Sequence, residues 1–137
     1  MAQCIVTIVN SSPNPMTLTQ YGEEHGDWGG ASPPGSIPKS GSVDFNLYSA
    51  SGYGPNGYAT YEVKDSAGLT AKIKFFFSDP ISGTNVVDWV WDPYPDKHPA
   101  VTATYKTQTG GDDAAWRDNS VDPDDSPVRV IYTVTGQ

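Results

Sequence analysis

Ala59-Thr60-Tyr61-Glu62-Val63-Lys64-Asp65-Ser66-Ala67-Gly68-Leu69-Thr70-Ala71-Lys72-Ile73-Lys74-Phe75-Phe76-Phe77 is the stretch on which the fold class turns. Ala59, Tyr61 and Val63 alternate with Thr60, Glu62 and Lys64; Ile73, Phe75 and Phe77 alternate with Lys72 and Lys74, until Phe76 breaks the rule. Successive side chains of an extended chain project to opposite faces, so this period of two sends one face of each run into a core. Lys64-Asp65-Ser66-Ala67-Gly68 has the composition of a tight turn, with Gly68 able to take a positive φ. The whole stretch predicts a β-hairpin.

The same period recurs on both sides. Val43, Phe45 and Leu47 alternate with Asp44 and Asn46, and Val101, Ala103 and Tyr105 with Thr102, Thr104 and Lys106. Val128, Val130, Tyr132 and Val134 alternate with Arg129, Thr133 and Thr135, Ile131 being an apolar exception. Cys4 to Asn10 is apolar on both parities except at Thr7, which suits a strand buried on one face and partly covered on the other. Prolines in Ser11–Pro15 and Ser32–Gly41 cannot donate to a ladder and predict loops or sheet edges. No window of a dozen residues keeps a helical period free of glycine and proline. Seven to nine short strands predict an all-β chain: a single-domain antiparallel β-sandwich over residues 1–137, with an acidic loop at about 110–127.

Charge narrows the partners. Sixteen acidic residues against eight basic ones give a formal charge of −8, which repels a phosphate backbone and predicts no nucleic-acid partner. Adsorption to anionic lipid by charge alone is disfavoured for the same reason, so any membrane attraction must come from headgroup contacts or from apolar and aromatic insertion. The single cysteine, Cys4, cannot form an internal bridge, which fits a reducing compartment. Met1-Ala2-Gln3-Cys4-Ile5-Val6 lacks a basic segment followed by an apolar one; no classical signal peptide is expected, and cytoplasmic accumulation or non-classical release is.

Catalytic machinery is not expected. His25 and His98 lie far apart among loop-type residues, and no G-x-S-x-G elbow exists. Asp118-Asn119-Ser120-Val121-Asp122-Pro123-Asp124-Asp125 offers oxygen ligands of the kind calcium takes, but it lacks the glycine and distant glutamate of the EF-hand loop. With Asp112 and Asp113 it is read as a solvated, mobile loop between the last two strands. No metal and no cofactor are expected.

The aromatic residues carry the candidate site. Trp28 lies in Gly26-Asp27-Trp28-Gly29-Gly30, Tyr53 and Tyr58 flank Gly54-Pro55-Asn56-Gly57, and Trp89, Trp91 and Tyr94 lie in Asp88-Trp89-Val90-Trp91-Asp92-Pro93-Tyr94. Indole and phenol rings suit an interface, where an apolar body enters lipid or stacks on sugar while the polar edge stays wet. Trp89 and Trp91 share one strand face, and two readings stand for them: ligand contact, or core packing. Three uses of such a surface follow, namely membrane-lipid binding, carbohydrate binding of a lectin-like kind, and packing in a storage structure.

The order Val9-Asn10-Ser11, His25-Gly26-Asp27-Trp28 with Pro33-Pro34, Gly52-Tyr53, Gly57, Tyr61-Glu62-Val63, Phe77-Ser78-Asp79-Pro80-Ile81-Ser82-Gly83-Thr84-Asn85 and Val130-Ile131-Tyr132-Thr133-Val134 resembles the aegerolysin family. The likeness is to its bacterial branch, which includes the small subunit of binary insecticidal crystal toxins, and it spans most of the chain outside Val86–Pro127. The resemblance implies a β-sandwich that binds membrane lipid, acts at target-cell membranes beside a larger pore-forming partner protein, and assembles as a homo-oligomer in some members. It also implies that Trp28, matching a loop tryptophan of the family, meets the membrane.

Overall fold

A computed structural model describes residues 2–137. Ten strands follow one another: β1 Gln3–Ser11, β2 Met16–His25, β3 Ser36–Ile37, β4 Ser42–Tyr48, β5 Asn56–Lys64, β6 Thr70–Ser78, β7 Val86–Trp91, β8 Val101–Thr109, β9 Arg117–Asp118 and β10 Val128–Gly136. They form two five-stranded sheets, one ordered β4-β1-β10-β8-β9 and the other β3-β2-β5-β6-β7. Packed face to face, these sheets make the predicted sandwich.

The Ala59–Phe77 stretch is the β5–β6 hairpin at the centre of the second sheet, with Ala59 opposite Phe75 and Tyr61 opposite Ile73. Gly68 turns it at a φ of 91°. The Asp65 carboxylate organises the turn, accepting backbone N–H bonds from Ala67, Leu69 and Ala100, each at 2.9 Å. Those donors, that of Ala100 foremost, hold its carboxyl below the usual range against the opposing effect of burial.

Two features depart from the sequence reading. The sandwich is not wholly antiparallel: β1 lies between β4 and β10, and pairs with β10 in parallel, Cys4 opposite Val128 through Ser11 opposite Thr135. Flanked on both edges, β1 is an interior strand of its sheet, and Ile5 and Val9 on its outer face are half-buried. That is why its residues are apolar on both parities. The second departure is β2, which the alternation does not reveal. Its pairing with β5 shifts register between Leu18 and Gln20 and again between Glu23 and His25, and each bulge flips which parity faces inward.

The core is built from the alternating residues of both sheets. Phe75 and Tyr132 meet across it with ring centroids 4.7 Å apart, and the fully buried Tyr132 hydroxyl donates to the Phe76 carbonyl at 2.8 Å. Burial pushes that phenol well above its ordinary pKa, so it stays a donor. Tyr61, also fully buried, donates to the Pro34 carbonyl at 2.6 Å and ties the β2–β3 connection down. The buried Asn10 side chain donates to the carbonyls of Asn14 and Ile37 and accepts from Ser12, locking the β1–β2 turn.

Phe75→Ala should cost about 3–5 kcal/mol, read as a lowered urea midpoint with an unchanged slope; a loss below about 1 kcal/mol would mean that the sheets do not meet there. Asp65 has a lowered folded pKa, so its contribution is complete above the unfolded aspartate value of about 3.9 and fades as pH falls through the lower folded value. Asp65→Asn should therefore lower the thermal midpoint at neutral pH, with the gap to the parent closing in acid. A gap that stays constant with pH would refute this account of the turn.

Candidate functional site

Connections gather at the two ends of the sandwich. One end carries the β2–β3, β4–β5 and β6–β7 connections and the chain between β8 and β10; the other carries the β1–β2, β3–β4, β5–β6 and β7–β8 connections. The six aromatic residues singled out from sequence do not form one cluster.

Trp28 and Tyr53 belong to the first end. Trp28 does not stand free: it is half-buried, its Nε1 donates to Glu23 Oε2 at 2.7 Å, and its ring lies edge-on to Phe77 and tilted to Phe45, with centroids 6.2 and 6.1 Å away. It plugs the end of the core. Gly57 permits this, because a Cβ there would lie 2.6 Å from Leu47 Cδ2 and 3.4 Å from the indole. Tyr53 is 56% exposed and stacks flat on His25, centroids 4.2 Å apart and planes within 6°.

Tyr58 lies on the outer face of the second sheet, half-buried, with Lys74 Nζ 4.5 Å from its ring centroid. Trp89 and Trp91 occupy inward positions on the edge strand β7 and pack half-buried against the core, their rings perpendicular at 5.7 Å. The core reading thus covers much of both indoles. Trp91 continues to His98, and His98 to Tyr94, at the far end, where Tyr94 is 76% exposed. The two histidines stand at opposite ends of the molecule.

What the first end presents is a cleft of about 350 Å³ lined by His25, Gly52, Tyr53, Asn56, Pro80 and Ile81 among others. A shallower depression of about 310 Å³ on the neighbouring sheet face shares Asn56 and is lined by Tyr58, Lys74, Phe76 and Val90. At this end Ile81 is 64% exposed, Val86 45% and Tyr48 38%. Ile81, Val86, Tyr48, His25 and Lys74 were not picked out from sequence. Ile81 carried the clearest signal, an apolar residue inside the turn sequence Asp79-Pro80-Ile81-Ser82-Gly83 with no strand period to bury it.

The Asp79–Asn85 run, the most distinctive of the segments quoted above, is a brace for this end. Asp79 is fully buried and accepts from Gln3 N at 2.9 Å and Ser126 Oγ at 2.6 Å. Gly54 packs so closely that a Cβ would fall 2.1 Å from the Asp79 carbonyl oxygen. Asn85 donates through Nδ2 to the carbonyls of Asp122 and Asp125, and its backbone N–H donates to that of Pro123. Burial, with the Asp79 charge second, pushes the neighbouring Cys4 thiol well up, away from nucleophilic use.

The acidic connection is accordingly strapped down, not loose. Thr107 Oγ1 donates to Ser120 O, Gln108 Nε2 to the carbonyls of Asp112 and Ala114, and β9 pairs with β8 inside it. It also holds Trp116, 42% exposed, beneath Lys106. Among the described residues no group of three or more His, Cys, Asp and Glu side chains is placed to hold a metal ion. No helix among the described residues is long and apolar enough to cross a membrane.

No family model matches the chain, and no curated protein matches it. Twelve chains of solved structures do. One is the crystal structure of lipid binding protein Nakanori, with a TM-score of 0.67 at 14% sequence identity, covering 98% of this chain and 71% of that one. Likeness at this identity shows a shared β-sandwich fold.

Asn85→Ala removes two bonds from a buried side chain and leaves two carbonyls to find water. Hydrogen exchange in residues 119–126 should rise by about tenfold or more while β5 and β6 keep their protection; unchanged exchange there would mean that the strap is held by other contacts.

Proposed function

We propose that this is a non-enzymatic membrane-lipid-binding protein that meets the bilayer with the end bearing Tyr53 and Ile81. The observation that carries the reading is that Tyr48, Tyr53, Ile81 and Val86, all substantially exposed, lie at one end of the sandwich, where Tyr53 and Ile81 line a cleft. Tyr53 and Ile81 sit on connections braced from beneath by Asp79, Asn85 and Trp28, and Tyr48 and Val86 on the ends of β4 and β7, so few conformations are lost on insertion. Tyrosine rings favour the headgroup level, and an isoleucine at the tip supplies apolar burial just below it. The Nakanori-like fold and the aegerolysin-like segments support the same reading.

At the finer level, we read the protein as the small recognition component of a two-component pore-forming toxin, insecticidal or defensive, acting at target-cell membranes. This rests on the resemblance to the binary toxin subunits. One side chain contributes roughly 1–3 kcal/mol of burial, too little to hold a protein on a bilayer, so several contacts or several copies must act together. A homo-oligomer or a larger partner protein would supply that multiplication.

A carbohydrate-binding reading has one observation of its own. Trp91, His98 and Tyr94 form an aromatic run at the other end, with Tyr94 open to solvent, a surface on which a sugar ring can stack. Saturable binding on a glycan array, lost in Tyr94→Ala and retained in Ile81→Ser, would favour it.

Flotation with liposomes made from insect and from sterol- and sphingolipid-rich extracts tests the leading reading. Retention should survive high salt, since apolar contact and not charge drives it. The double substitution Tyr53→Ser and Ile81→Ser should weaken it by about tenfold or more without moving the thermal midpoint. Failure of every lipid mixture to retain the parent protein would end the reading.

A further inference from the structure

We infer that the acidic chain between β8 and β10 is a charge filter, which restricts the insertion end to bilayers whose surface is zwitterionic or uncharged and turns it away from anionic ones. The inference rests on the lipid-binding reading and adds to it the class of surface accepted.

The placement of charge carries the argument. Asn85 and Asp79 tie the segment to the very connection that presents Ile81, through Asp122 O, Asp125 O, Pro123 O and Ser126 Oγ. The carboxylates of Asp113, Asp118, Asp124 and Asp125 take no hydrogen bond or ion pair among the described residues, and all four residues are exposed. Glu24 and Asp27 add to them from the β2–β3 side of the same end. The nearby arginines are already committed, Arg117 to Asp122 at 3.4 Å and Arg129 to Asp112 at 2.9 Å.

Of the lysines, Lys39, Lys64 and Lys97 lie at the opposite end, in or beside the β3–β4, β5–β6 and β7–β8 connections, and Lys72 and Lys74 lie along β6. Lys106, over Trp116 and opposite Asp118, offsets one carboxylate of the acidic segment and leaves the others unbalanced. The molecule is therefore most negative where it would insert. A rim that must come within a few ångströms of lipid lies well inside the screening length of about 8 Å in physiological salt, so its carboxylates feel the surface potential almost unscreened. Anionic lipid raises the work of approach in that orientation and favours the inverted one. A net charge spread evenly would do neither.

The test uses vesicles of phosphatidylcholine, phosphatidylethanolamine, sphingomyelin and cholesterol, against the same mixture with about a third of the phosphatidylcholine replaced by phosphatidylserine. Flotation of the full chain at low salt should fall by about tenfold or more on the serine vesicles, and high salt should restore it. The combined substitution Asp113→Asn, Asp118→Asn, Asp124→Asn and Asp125→Asn should cut that fall to about threefold or less. A control that removes charge at the other end, Glu62→Gln with Asp92→Asn and Asp96→Asn, should leave the fall as it was. Equal binding to both vesicles, or equal relief in the control, overturns the filter while leaving lipid binding intact. Absence of binding to either vesicle removes the lipid reading and the filter with it.

Discussion

Tyr132 reaches from one sheet into the other: its ring packs on Phe75 and its hydroxyl ends on the Phe76 carbonyl. Two sheets held by apolar burial alone can slide, because the hydrophobic effect has no direction. A buried hydroxyl that must find its one acceptor removes that freedom, since leaving either group unpaired costs more than the bond itself contributes. With the sheets in register, the ends of β2, β5 and β6 fall at a common level, and the connections that leave them meet over one end of the core.

That end is stable because its polar groups are spent internally. Asp79 and Asn85 are both buried, Asp79 accepting from the Gln3 N–H and the Ser126 hydroxyl and Asn85 donating to the carbonyls of Asp122 and Asp125. The chain can then leave Tyr53 and Ile81 outside without those side chains having to hold the fold. Trp28 shows the division from the other side, since an indole in a glycine-rich loop is drawn inward to cap Phe45 and Phe77 while Glu23 satisfies its N–H. Support and contact are assigned to different aromatics.

Much of the sandwich was legible because alternation is a property of neighbouring residues. The β5–β6 hairpin, β4, β8 and β10 each declare their buried face within a few positions. Where the period was interrupted, legibility ended: the two bulges in β2 scrambled its parity, and Glu23 and Tyr21 face the plugging indole on positions that read as solvent. The acidic segment read as loose because charge runs usually are, and nothing local records that a distant asparagine holds its carbonyls.

The sequence by itself determined the all-β class, the main turns, the net acidity and the surplus of aromatic residues, since propensity, parity and composition are local or additive. Only the tertiary structure decided the parallel pairing of the first and last strands, the inward turn of Trp28, and the separation of Tyr53 from Trp91 and Tyr94 to opposite ends. It also decided that most of the acidic run and the exposed isoleucine share one rim. Such placements depend on which strands pair and in what register, and pairing is set by the summed burial of both sheets, a quantity no short stretch of chain contains.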